Sequence, residues 1–284
     1  MAHSGLICRI TAHLTKKKRF YSICALSFIL LLLSVCQFGK WGAERLEVNH
    51  TSIQALPEIG PLKIAFFADV HGNPALLERI VELIAQQEPD LIVFGGDLVY
   101  AEHRFYRTRR YIESFKQLQS IAPTFAILGN HDYEKLDQVQ RVYQAAGVKL
   151  LRNESIEWVS PSGNKLIIAG VGDYNEGDEK PADCLLPSDK ETLPTLLLSH
   201  DPESRVALKD FHWELMLSGH THGGQLGIPF TDTYISFRSD MPAGLFAYEN
   251  GKQIFVTRGT GAILGMRFFC YPEINIITIP AQKK

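Results

Sequence analysis

Short apolar runs alternate with amphipathic stretches through the first half of the chain. Lys63-Ile64-Ala65-Phe66-Phe67-Ala68 reads as a buried strand, and Leu76, Leu77, Ile80, Val81 and Ile84 then recur at helical spacing. Asn73 is placed to cap that helix and Pro74 to occupy its first position. Leu91-Ile92-Val93-Phe94 follows as the next strand, which completes a βαβ unit. The pattern repeats with a helix over roughly 105–119, a strand at 124–128 and a helix over 133–146 that Gly147 ends. Strands are then expected at 148–151, 156–159, 165–170, 195–199, 215–218, 246–248, 253–257 and 274–279. There is no internal repeat and no low-complexity tract.

The N-terminus has a different texture. Lys16-Lys17-Lys18-Arg19 precedes nineteen residues, Phe20 to Phe38, without a charge. That length suffices to cross a bilayer as a helix. Ser34-Val35-Cys36 is a poor signal-peptidase site, so an uncleaved anchor is favoured. With Arg9 and Lys16 to Arg19 held inside, the remainder lies on the extracytoplasmic face of the cell (inner) membrane. The division expected is a basic segment 1–19, a span 20–38, a linker 39–60 and a folded domain 61–284.

Composition changes this picture little. The 284 residues are 45% apolar and 21% charged, an ordinary globular balance. Residues 1–45 hold seven of the 29 Lys/Arg and one of the 31 acids. The rest of the chain therefore carries 22 basic against 30 acidic residues, a net charge of about −8. Such a domain is a poor non-specific binder of nucleic acid, and no stable nucleic-acid partner is expected. Beyond the N-terminal segment only Cys184 and Cys270 remain; they are free to pair outside the cytoplasm or to stand alone, and no C-x-x-C pattern exists.

The candidate chemistry sits at the ends of the strands. In order come Asp69-Val70-His71, Gly96-Asp97, Gly129-Asn130-His131-Asp132, Ser199-His200 and Gly219-His220-Thr221-His222. Each alone is commonplace in turns and helix caps; five in this order, each after an apolar run, are not. Carboxylate oxygen with imidazole nitrogen suits Mn, Fe or Zn better than Mg or Ca. Two such cations about 3.5–4 Å apart are a device for hydrolysing phosphate esters. His3, His13, His50, His103 and His212 lack this setting and receive no role.

The string resembles the calcineurin-like metallophosphoesterase superfamily, with its D-x-H, G-D, G-N-H-D, H and G-H-x-H pattern, over about residues 61–284. Gly219 to Gln225, Arg258-Gly259-Thr260-Gly261 and Arg267 to Cys270 carry a closer similarity to the bacterial YkuE/YaeI-like phosphodiesterases. The resemblance implies a four-layer α/β/β/α sandwich. It implies that Asp69, His71 and His222 bind one metal, that Asn130, His200 and His220 bind the other, and that Asp97 bridges both. His131 is the implied catalytic residue, set over the phosphate to stabilise charge and protonate the leaving alkoxide. Asp132 either orients His131 or caps the next helix, the cap being preferred. Tyr100, three residues after Asp97, reproduces the iron-binding tyrosine spacing of purple acid phosphatases, but His71 already fills that slot, so Tyr100 is expected to line the cleft.

The function expected is hydrolysis of a phosphodiester or phospholipid-like substrate by a metal-bridging hydroxide, at a membrane reached through the N-terminal helix. A lipid pyrophosphatase acting on a UDP-acylglucosamine-type substrate and a catalytically inactive scaffold stay open beside it. Substrate choice falls to the loops 100–110, 173–193 and 226–245.

Overall fold

A computed structural model describes residues 2–100, 108–190 and 192–281, with side chains from Arg19 onward, Pro57 excepted. Two six-stranded sheets pack face to face. Sheet A contains β1 (Glu47–Ser52), β2 (Leu62–Phe67), β3 (Leu91–Phe94), β4 (Thr124–Ala126), β5 (Lys149–Leu150) and β12 (Glu273–Ile279), in the order β1-β12-β2-β3-β4-β5. Sheet B contains β6 (Glu154–Val159), β7 (Lys165–Gly170), β8 (Thr195–Leu198), β9 (Leu215–Ser218), β10 (Gly244–Ala247) and β11 (Gln253–Val256), in the order β10-β11-β9-β8-β7-β6. Both sheets are mixed. The antiparallel pairings are β12 with β2, β6 with β7 and β10 with β11.

Alternation along the strands splits the core into layers. Ile64, Phe66, Leu91, Val93, Leu196, Leu198, Leu215 and Leu217 point between the sheets. Ala65, Phe67, Ile92 and Phe94 point the other way, beneath α2 (Pro74–Ala85), α3 (Thr108–Ile121) and α4 (Leu136–Ala146). The outer face of sheet B is covered by Leu185, Leu208 and a buried Trp213. The expected fourth layer is thus present but thin: among the described residues it is built of 3-10 turns, such as Pro181–Asp183 and Pro202–Val206, rather than α-helices. Asn73 caps α2 by accepting from Leu76 N–H at 3.0 Å, and left-handed Gly147 (φ 75°) closes α4.

Two expectations need correction. Residues 39–60 are not a linker. The first helix, α1 (Ala2–Glu44), continues well past the apolar run, and Glu47–Ser52 is an edge strand parallel to β12. Ile53, Leu56 and Ile59 are fully buried between the sheets, so the compact part begins near Leu46 and not at residue 61. The helix expected from residue 133 opens instead as a 3-10 turn, Asn130–Lys135, and becomes α-helical only at Leu136. Helix α3 is described from Thr108; residues 105–107 and His103 lie outside the described residues.

Arg19–Glu44 within α1 is long and apolar enough to span a membrane. Its last turns dock on the loop before β12: the Phe38 ring lies 6.2 Å from Phe268 and 5.2 Å from Phe269, and Arg267 N–H donates to Gly39 O at 2.9 Å. Close approach requires glycine here, since a Cβ at Gly42 would lie 2.2 Å from Arg267 O. Cys184 and Cys270 are buried in separate surroundings, Cys184 on the outer face of sheet B and Cys270 against His222 O, and both are free thiols.

If 53–59 belongs to the core, Ile53→Ala removes a buried side chain and costs about 2–5 kcal/mol. A residue in a solvated linker would change stability by less than about 0.5 kcal/mol. Chemical denaturation of the full chain, followed by tryptophan fluorescence, decides between them.

Candidate metal centre

The parallel strands of both sheets end on one edge, and each delivers one motif there. Asp69 and His71 follow β2, Asp97 follows β3, and Asn130 with His131 follows β4. Across the gap His200 follows β8, and His220 with His222 follows β9. Carboxyl ends of parallel strands are where α/β sheets hold ligands.

The loops are zipped together by backbone bonds. Asp69 N–H donates to Gly96 O at 2.9 Å, His71 N–H to Asp97 O at 3.1 Å, and Gly219 N–H to His200 O at 2.9 Å. Within them Asp69, His71, Asp97, His220 and His222 all have positive φ, between 50° and 67°. Left-handed backbone at a non-glycine residue costs on the order of 1–3 kcal/mol and gathers at functional sites. Glycines make the close approaches: a Cβ at Gly129 would sit 2.2 Å from Asp97 Oδ1, and one at Gly219 would sit 2.8 Å from Asp69 Oδ2.

All seven candidate ligands converge. His71 Nε2 is 2.8 Å from His222 Nε2, and Asp69 Oδ1 lies 3.9 and 3.5 Å from those two nitrogens. Beside them His220 Nδ1 is 2.9 Å from Asn130 Oδ1, and the His200 and His220 rings are 5.3 Å apart. Asp97 Oδ2 faces both groups, 3.9 Å from His71 Nε2 and 3.2 Å from His200 Nε2. Donors bound at about 2.1 Å to one cation stand about 3–3.5 Å from each other, so these spacings fit coordination spheres. Two further observations fit a cation. Asp69 Oδ2 is buried without a hydrogen-bond partner. Moreover, His200 spends Nδ1 on Gly95 O at 2.7 Å, which leaves Nε2 available to ligate a cation.

Electrostatics separates the groups. Burial pushes Asp69 up to about 7 and holds His71 down to about 4. Burial is the largest single influence on Asp97 and works to raise it, but His200, His71 and His131 together outweigh it and hold the carboxyl below the usual range. Burial opposes charge on His200, yet Asp97, Asp69 and Asp173 together lift it well above an ordinary imidazole. Carboxylates this deeply buried need compensation by positive charge.

His131 donates its backbone N–H to Asp97 Oδ1 at 2.9 Å. Its half-buried ring stands 5.3 Å from His71 and 4.8 Å from Tyr100, with a ring nitrogen inside the ligand-atom cluster of His71 and Asp97. Tyr100 lines the cleft against the His71 ring, edge-on at 5.3 Å. His50 is exposed on β1, and His212 pairs with Glu214 at 2.9 Å, both remote from these loops.

Two residues do more than the sequence reading assigned to them. Asp132 is more than a cap. Fully buried, it accepts from Gly129 N–H at 3.0 Å within its own turn and from Asp97 N–H at 2.9 Å and Val99 N–H at 3.1 Å in the neighbouring loop. Arg267 is also fully buried and sits behind His222, its guanidinium 3.1 Å from Nδ1. It donates to Arg258 O at 2.7 Å and through Nε to Gly261 O at 2.9 Å, and it faces no carboxylate within ion-pair distance among the described residues. A charged residue inside the apolar string Met266 to Cys270 was the available signal.

A two-sheet α/β fold with an Asp/His/Asn donor set at the strand ends defines a metal-dependent phosphoesterase. The chain belongs to the calcineurin-like phosphoesterase family, whose sequence model matches residues 62–224. It is 34% identical over 229 residues to phosphodiesterase YaeI of Escherichia coli (strain K12), covering 77% of this chain and 82% of that protein. The metallophosphoesterase YkuE of Bacillus subtilis (strain 168) is 30% identical over 227 residues, 76% and 78% of the two chains. UDP-2,3-diacylglucosamine pyrophosphatase LpxG of Chlamydia muridarum (strain MoPn / Nigg) is 27% identical over 287 residues, 76% and 83%. The family is dinuclear and metal-dependent.

A proton on Asp69 must leave before a cation binds, because ligating carboxylates are ionised. With that carboxyl at about 7, metal affinity falls as pH drops through 7, by about tenfold per unit for each proton displaced. Titration with Mn²⁺ between pH 5.5 and 8 checks the slope; a flat profile would exclude Asp69 as a ligand.

Proposed function

We propose that this chain is a membrane-anchored phosphodiesterase using two divalent cations. Asp69, His71 and His222 would hold one, Asn130, His200 and His220 would hold the other, and Asp97 would serve both. The observation that carries this reading is the position of Asp97, whose Oδ2 faces His71 on one side and His200 on the other. When bound, the cations supply Lewis acidity and a water that ionises near neutral pH.

The chain's own groups do the rest. Asp132 clamps the loops of Asp97 and His131 together through three backbone N–H groups, which fixes their separation. The His131 ring, between His71 and Tyr100 at the cleft, hydrogen-bonds a phosphate oxygen and gives a proton to the departing alkoxide. Residues 20–38 anchor the protein, and the basic flank keeps the folded part on the extracytoplasmic side. Similarity to LpxG supports a second reading, cleavage of the pyrophosphate of a nucleotide-linked lipid. An outward-facing domain argues against it, because nucleotide-linked lipids are expected on the cytoplasmic side.

The full chain in detergent with Mn²⁺ is expected to hydrolyse bis-p-nitrophenyl phosphate and to stop with chelator. His131→Ala should lose about 10²–10⁴ in turnover while keeping its metal, and Asp97→Asn should lose metal and turnover together. Turnover and elemental analysis are read side by side; absence of both activity and metal in the parent chain would favour the scaffold. For sidedness, Glu249→Cys places a thiol at an exposed position. Labelling by an impermeant reagent in intact spheroplasts is expected, and protection until lysis would put the domain in the cytoplasm.

A further inference from the structure

A cavity of about 880 Å³ has two unlike ends. One is His71 and Tyr100, at the metal centre. The other is the end of α1, through Lys40, Ala43 and Glu44. Between them the wall is the segment Thr260–Gly265, whose turn Ile263–Gly265 packs against α1.

The depth of this opening is set by helix geometry. At about 1.5 Å per residue, Lys40 lies about 3 Å and Glu44 about 9 Å beyond Phe38, the last residue of the apolar run. A bilayer's headgroup zone is about 5–8 Å deep on each side. The cavity thus begins where hydrocarbon ends and opens at the level of lipid phosphates.

Leu264 is the second observation. It is 86% exposed and has φ 59°, a conformation that disfavours a bulky apolar side chain. The exposed apolar surface is unfavourable in water, and Leu264 lies on the wall beside α1. Nearby apolar side chains share the exposure. The hairpin that starts at Leu226, paired with Phe268 beneath Phe38, carries a fully exposed Phe230.

Resting on the phosphodiesterase reading above, we propose that the substrate is an amphiphilic phosphodiester taken directly from the bilayer that holds α1. Its alkyl chain lies along the Ile263–Leu264 wall at the end of α1, and its phosphate reaches the metal centre beside His71. Water adds to phosphorus, one ester P–O bond breaks, and the leaving alkoxide takes a proton. The products are a phosphomonoester and an alcohol, one of which keeps the chain.

The test compares p-nitrophenyl hexadecyl phosphate with p-nitrophenyl methyl phosphate, using the full chain reconstituted in phosphatidylcholine vesicles. The two share phosphate and chromophore and differ only in the alkyl chain. The expected kcat/KM preference for the hexadecyl ester is at least about tenfold, from burial of a few methylenes. Leu264→Asn removes the apolar side chain while suiting the left-handed backbone, and should drive that preference toward unity. Equal rates on the two esters in the parent chain would overturn the proposal. So would a preference that survives in Leu264→Asn, since partitioning into the vesicle would then explain it. Failure to cleave either ester would instead count against the phosphodiesterase reading itself.

Discussion

Two carboxylates, Asp69 and Asp97, are buried together where the two sheets meet, with histidine rings around them. Placing like charges in a low-dielectric setting is unfavourable unless positive charge joins them. Much of the local architecture serves to keep them there. Loops turn through left-handed conformations so that side chains face inward. Glycines let neighbouring backbone come within touching distance of the carboxylates. Asp132 adds a third buried carboxyl, pushed up to about 7 by burial, which braces two of the loops through backbone N–H groups.

The candidate site was legible because each donor comes just after an apolar run short enough to read as a buried strand. Leu91 to Phe94 and Leu215 to Ser218 have the same bounds in sequence and structure. Strand β1 was not legible. Glu47-Val48-Asn49-His50-Thr51-Ser52 is a polar edge strand whose place is set by β12, more than 200 residues away. The fourth layer was hidden for a related reason: 3-10 turns held by Trp213 and Leu208 have no long periodicity to read. Backbone handedness is invisible in composition, because Asp and His do not announce a positive φ as glycine does. Arg267 was visible as a charge among apolar neighbours, but its direction, toward His222, depended on the fold.

Helix α1 has two jobs along one axis. Its exposed apolar stretch has the length and composition of a membrane span. Its last turns are part of the folded protein: they line the cavity and receive Arg267 N–H at Gly39 O. Arg79 extends the join, reaching Glu44 O at 3.1 Å from α2.

This docking has a practical consequence for preparing the protein. Arg267 touches α1 with its backbone and His222 with its guanidinium. Cutting the chain after residue 45 to gain solubility removes the Gly39 carbonyl that accepts from Arg267 N–H, on the segment whose guanidinium stands behind His222. Such a truncated preparation differs from the parent in the support of the Arg267 segment as well as in lacking the apolar stretch of α1. A drop in its activity would therefore report both changes as one number.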